Sequence, residues 1–259
     1  MKSILSIYLI IYPIFIFSQN TIIAEYLHTS ESSLAKKNKT ILVFANQEKA
    51  KQVHFKSELN QDYNYGASMN KDGILEVIEK PNEFANTWFY EASSKDIIKS
   101  LENANQKFVV YDSGLGYDWK ITDKIDNIGG YQVVKAITNF RGRTFTAWFA
   151  PSIPIGFGPW KLKGLPGLIL KMHDEERKYV WSLTKLSLNE EFPKGSLELN
   201  IPKDAKKMTY QEALEMSNQA YDEQQRRRSS KLGVRGGNIK TVRHRDRELE
   251  RSYEWEKEN

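Results

Sequence analysis

Between Thr21 and about Ile201 the chain alternates short apolar runs, rich in β-branched and aromatic residues, with clusters of Asn, Gly, Asp, Lys and Pro. That punctuation predicts strands separated by turns rather than helices. The candidate strands are TIIAEYL, TILVFAN, QVHFK, ILEVIE, TWFYEA, KFVVYDS, YDWKITD, YQVVKAITNF, RTFTAWFA, LILKMH, KYVWSLTKL and SLELNI. In RTFTAWFA, Phe145, Ala147 and Phe149 share one face while Thr144, Thr146 and Trp148 share the other, the period of two that gives a strand a drier side. NFRGRT sets Gly142 between two such runs, as a tight antiparallel hairpin requires.

Helical periodicity is weak at SSKDIIKSLENA and clear only in MTYQEALEMSNQAYDEQQRRR. There Thr209 and Glu212 stand at capping-box spacing, and Tyr210, Ala213, Leu214, Ser217 and Tyr221 form one stripe expected to pack on the sheet. The predicted fold is mainly β: a curved antiparallel meander sheet or half-barrel in one domain, with a packed C-terminal helix and a charged tail. The predicted divisions are a signal peptide over 1–18, the β domain over 19–203, the amphipathic helix over 204–229 and a charged flexible tail over 230–259.

The first twenty residues change the picture of where this domain works. Lys2, an apolar run from Ile4 to Phe17, and small Ser18 before Gln19 have the layout of a secretory signal peptide cut near Ser18–Gln19. The large Ile16 departs from the small-residue rule, which leaves an uncleaved anchor as the competing reading. No later run is apolar enough to span a bilayer, so the mature chain is expected in the periplasm or at the cell surface. With no cysteine in its 259 residues, the fold must rest on core packing without disulfides.

Charge adds one asymmetry. From Arg226 onward there are 11 basic and 6 acidic residues, against 27 of each before it, so the whole net charge of +5 lies in the tail. A balanced body argues against a nucleic-acid-binding face.

Candidate chemistry is sparse. His28, His54, His173 and His244 are scattered, so no metal site and no cofactor is expected, and HDEE at 173–176 reads as a turn. Nucleophile motifs are missing; Asp112, Asp118, Asp123 and Asp126 lie close together and keep a hydrolase with loop carboxylates as an alternative. GFGPWKLKG lacks the strand and helix that a dinucleotide loop needs.

The most distinctive stretch is GPWKLKGLPGLIL, residues 158–170. In Leu165-Pro166-Gly167-Leu168, Pro166 suits the second and Gly167 the third position of a type II turn. Gly164, Leu165, Pro166, Gly167, Leu168 and Ile169 spell GLPGLI, and residues 130–174 resemble the central block of the GLPGLI family of Bacteroidetes proteins: a Lys-Ala strand, an Arg-Gly-Arg hairpin, an Ala-Trp strand, an Ile-Pro pair, then Gly-Pro-Trp. DWKIT and YVWSL extend the resemblance. It implies an exported protein without an established activity; Val133 or Val134 stands where many members carry Cys, so no redox role carries over. The stiff apolar run over 153–166 points to a binding or carrier module for an apolar ligand or an envelope partner, with Ile155, Phe157, Pro159 and Trp160 as the expected contacts and a purely structural scaffold as the further alternative.

Overall fold

The computed structural model describes residues 21–32, 35–56, 67–69, 75–77, 87–103, 106–192, 195–231 and 248–256. The expected signal peptide lies outside these residues.

In chain order the strands are β1 (Ile22–Ser32), β2 (Ala35–Ala45), β3 (Lys49–Lys56), β4 (Ala67–Met69), β5 (Leu75–Val77), β6 (Thr87–Glu91), β7 (Ile97–Asn103), β8 (Gln106–Asp112), β9 (Lys120–Ile128), β10 (Tyr131–Phe140), β11 (Arg143–Ala150), β12 (Leu168–Asp174), β13 (Tyr179–Leu188) and β14 (Lys206–Thr209). Helix α1 (Tyr210–Lys231) follows β14. Twelve strands form one open sheet in the order β14-β8-β7-β6-β3-β2-β1-β13-β12-β11-β10-β9, while β4 and β5 pair only with each other. The predicted mainly antiparallel sheet is observed, as two meanders joined where β1 pairs with β13, and β14 at one edge runs parallel to β8, Met208 opposite Val110.

The strand period works as the sequence implies. Phe145, Ala147 and Phe149 are buried, and they face Thr138, Ala136 and Val134 across the β10–β11 pair. The turn between them has φ of +45° at Arg141 and +79° at Gly142, both positive, as a two-residue type I′ hairpin demands. Ile22, Ala24 and Tyr26 of β1 and Trp181 of β13 continue the same core.

Several expectations are corrected. SSKDIIKSLENA is strand β7, not helix: pairing with β6 and β8 on both sides outweighs a weak helical period, and buried Ser100 both accepts from the Thr87 N–H and donates to its carbonyl, each at 3.1 Å. SLELNI forms no strand. Helix α1 has its capping box, with Thr209 N–H donating to Glu212 at 2.7 Å and Glu212 N–H to Thr209 Oγ1 at 3.2 Å. Yet α1 does not lie along the sheet. Among its described residues only Ala213 is fully buried; of the expected stripe Tyr210 and Leu214 are half-buried, while Ser217 and Tyr221 face solvent.

Of the expected charged tail, residues 232–247 and 257–259 lie outside the described residues, whereas 248–256 is packed. Residues 248–256, ending in a single 3-10 turn at Glu254–Glu256, dock on the β10–β11 hairpin: Arg251 N–H donates to the Arg141 carbonyl at 2.8 Å, and the Arg143 guanidinium donates to the Glu248 carbonyl at 2.9 and 2.6 Å. Glu250 and Glu254 pair with Arg141, and Tyr253 and Trp255 lie against its guanidinium, although the composition of the segment reads as solvated.

Candidate functional site

The connection from β11 to β12, residues 151–167, folds inward instead of over the rim. Ile153, Ile155, Phe157, Trp160, Leu162 and Leu165 are all buried. A buried loop must find partners for its backbone carbonyls, and aromatic and amide donors on the surrounding elements supply them. Tyr90 Oη donates to the Trp160 carbonyl at 2.7 Å; Gln52 Nε2 donates to those of Gly158 and Trp160 at 2.7 and 3.1 Å. Tyr117 reaches Lys161 and Trp119 reaches Lys163 at 2.9 Å, and just past the loop Tyr26 reaches Ile169 of β12 at 2.8 Å. Burial raises the hydroxyl pKa of Tyr26, Tyr90 and Tyr117, so these remain donors throughout the stable range.

The four expected contact residues occupy the interior: Ile155, Phe157, Pro159 and Trp160 are all buried. Trp160 stacks on Trp181 at 5.6 Å between ring centroids and abuts Phe140 and Phe145. Its backbone sits at φ +57°, a left-handed conformation that costs a bulky residue about 1–2 kcal/mol. Two carbonyl bonds and three ring contacts hold it there.

The GLPGLI segment also differs from the expected type II turn. Gly167 N–H donates to the Leu165 carbonyl at 2.8 Å, an i to i+2 bond that closes a γ-turn on Pro166, and Ile155 to Ile153 at 2.7 Å closes another on Pro154. Proline's fixed φ is suited to the centre of an inverse γ-turn. Gly167 is required for a different reason than turn type: a Cβ there would stand 2.3 Å from the Ala150 carbonyl oxygen. A Cβ on Gly158 would meet Ile169 at 2.8 Å. Gly164 has φ +91° and Pro166 is exposed, while Leu165, Leu168 and Ile169 are core.

Beyond Trp160 the loop delivers Lys161 to a buried charge cluster that the sequence reading missed. Arg141, at the hairpin turn, donates to Asp112 through Nη2 at 2.6 Å and Nη1 at 3.0 Å, to Glu250 at 2.6 Å and to Glu254 at 3.0 Å. Lys161 Nζ lies 2.5 Å from Asp112 and 2.7 Å from Glu250. Tyr210, first residue of α1, donates its hydroxyl to the second Glu250 oxygen. The guanidinium of Arg141 is ringed by Phe140, Tyr210, Tyr253 and Trp255 at 5.0–5.6 Å, and Lys161 Nζ sits 3.7 Å from the Tyr210 centroid. Arg143 forms a second buried pair with Asp174 at 2.7 Å.

The electrostatics follow from this geometry. Burial alone would push the Glu250 carboxyl up, but Lys161, Arg141 and the Tyr210 hydroxyl hold it below its usual value. Burial and the neighbouring Glu250 raise the Tyr210 hydroxyl. Asp112 is clamped by two cations, whereas Asp118, Asp123 and Asp126 are exposed, so the four candidate carboxylates are not gathered into one site. Among the described residues no group of three or more His, Asp or Glu could hold a metal ion. A shallow cleft of about 150 Å³ opens beside the cluster, lined by Asn139, Phe140, Arg141 and Gly142 on one side and Ser252, Tyr253 and Glu254 on the other.

Comparison with known proteins places the recognisable part of the chain in this same region. A family model described as a protein of unknown function (Porph_ging) matches residues 138–171, which run from the end of β10 through the hairpin, the buried loop and the GLPGLI segment. No curated protein matches the chain. Among solved structures, PNGF-II is similar over 77% of this chain at 18% identity with a TM-score of 0.52, in each of two crystal forms. The chain spans about a third of PNGF-II, 33% and 32% in the two forms. An uncharacterized conserved protein from Thermus thermophilus is similar over 74% of this chain and 91% of its own, at 10% identity and a TM-score of 0.39. The likeness to PNGF-II is one of fold.

Proposed function

We propose that this chain is an exported, GLPGLI-type protein of the cell envelope that acts as a binding module for a polypeptide partner, its ligand class being an extended segment that carries carboxylates next to aromatic residues. The observation that carries this reading is the docking of 248–256. A peptide segment lying more than a hundred residues downstream of the hairpin sits against Arg141, Arg143 and Lys161, with Glu250 and Tyr253 buried and Glu254 at the rim. The protein thus already holds one peptide of that chemistry, its own.

The interior position of the apolar loop turns the reading away from a small apolar ligand, because Ile155, Phe157, Pro159 and Trp160 are spent on the core. Charge-assisted hydrogen bonds to a pre-positioned guanidinium and ammonium, walled by aromatic rings, favour carboxylates over neutral segments. No described helix is long and apolar enough to cross a membrane, which fits a module exported through its N-terminal signal.

A fluorescent peptide of residues 246–259 tests the reading. Full-length protein with the strap weakened by Tyr253→Ala and Glu254→Ala should bind it, with affinity falling as salt rises, at least ten-fold more tightly than the wild type, whose site is filled. A folded variant, verified by circular dichroism, that binds no peptide at low salt would sink the proposal.

A further inference from the structure

Helix α1 makes little sense as a local connection. Tyr210, at its start, touches Glu250, so the two ends of segment 210–250 meet. A strap intended only for its own hairpin could be reached through a few residues. Instead the chain runs outward for 22 helical residues, about 33 Å. Leu214, Met216 and Asn218 are half-buried, but from Gln219 onward every described side chain of α1 is exposed and, Ala220 and Tyr221 apart, polar, with Glu223 and Arg227 paired at 2.5 Å. A helix whose outer half projects from the domain with a polar, exposed surface is the kind that bridges bodies rather than one that completes a core. Sixteen residues, 232–247, then lead to the strap. At 3.3–3.6 Å per residue they reach at most about 55 Å from the helix tip. That is enough to return to the root of α1, and equally enough to reach the hairpin of a neighbour.

We infer that α1 is a spacer arm and that the partner of this site is a second copy of the chain, whose 248–256 strap enters the Arg141–Lys161 socket while its own socket receives a strap in return. This rests on the peptide-binding reading above and names its partner. Exchange leaves every contact of the strap unchanged: Glu250 with Arg141 and Lys161, the Glu248 carbonyl with Arg143, and Arg251 with Glu176 at 3.0 Å. Closed and exchanged forms then differ only in the path of the connecting chain and in the cost of association, the condition under which swapped dimers form.

The absence of native cysteine makes the inference directly testable. A Cβ on Gly142 would lie 2.8 Å from that of Arg251 and 3.1 Å from Ser252 Oγ, so cysteines at 142 and 252 come within reach of a disulfide with a small local adjustment. A Gly142→Cys chain and a differently tagged Ser252→Cys chain, mixed at equal concentration and oxidised, should give a cross-linked heterodimer as the main product. A Gly142→Cys chain mixed with Tyr221→Cys should not. Because Gly142 has positive φ, Asn139→Cys across the same cleft serves as a second acceptor. If the double variant Gly142→Cys/Ser252→Cys closes within one chain and the mixture yields no heterodimer above the control, exchange is wrong while strap docking stands. If the double variant forms no disulfide within or between chains, strap docking falls and exchange falls with it.

Discussion

Asp112 ends the second strand of the sheet and Arg141 turns between its tenth and eleventh, yet their side chains meet at 2.6 Å. Eight strand spacings would separate them by about 40 Å in a flat sheet. The pair therefore records how far the open sheet curls on itself, and both partners are nearly inaccessible, with side-chain exposures of 1% and 5%. Removing one partner of such a pair leaves a buried charge short of its counterion. Asp112→Asn should lower the unfolding free energy in urea by about 3 kcal/mol or more. A loss below about 1 kcal/mol would mean that apolar contacts alone hold the curl.

Trp160 tests whether the loop is a core plug. Its ring contacts Phe140, Phe145 and Trp181, so Trp160→Ala should cost about 3–5 kcal/mol in chemical denaturation. Relief of the left-handed strain offsets little of this, because Ala also disfavours positive φ. A stable, folded Trp160→Ala protein that loses only peptide binding would restore the binding-lip view of the loop.

The two glycines of GLPGLI should separate cleanly. Gly164 faces open space at φ +91°, so Gly164→Ala carries only the backbone penalty, about 1 kcal/mol. At Gly167 the new methyl would overlap the Ala150 carbonyl and crowd the Pro151 Cα at 3.0 Å. Gly167→Ala should therefore cost several times more, visible as a much larger fall in melting temperature. Equal effects would disprove the close-approach explanation.

Acid should release the strap. The folded-state carboxyl of Glu250 lies below its ordinary value of 4.5, and that of Glu176, bonded to Lys178 and to Arg251 of the strap, falls to about 2. A depressed carboxyl stabilises fully above its ordinary value and loses that contribution as pH falls toward its folded value. Melting temperature should thus decline below pH 4.5 in the wild type. In Glu250→Gln, which carries no such charge, the decline should be shallower; identical profiles would show that the strap does not couple to folding.

Export is checked at the N-terminus. Chain recovered from the periplasm or medium should begin at Gln19 on N-terminal sequencing. Recovery of uncleaved chain in the membrane fraction would replace the signal-peptide reading with an anchor.

The sequence alone determined the local elements that repeat a short period strongly. YQVVKAITNF and RTFTAWFA are β10 and β11 to the residue, Gly142 marks their turn, and Thr209 with Glu212 caps α1, because alternation, positive φ and capping are written in neighbouring residues. Only the tertiary structure decided what lies between distant segments. SSKDIIKSLENA became a strand because β6 and β8 offered two ladders, and the apolar 151–167 loop went inside because Gln52, Tyr90, Tyr117 and Trp119 supply donors for its carbonyls. The charge cluster was equally invisible: Asp112, Arg141, Lys161 and Glu250 span 138 positions, and a carboxylate in a charged tail reads as solvated until its cations are seen to be buried. Periodicity reports a residue's own turn or strand, whereas a buried ion pair depends on how the sheet curls, and no local pattern encodes that.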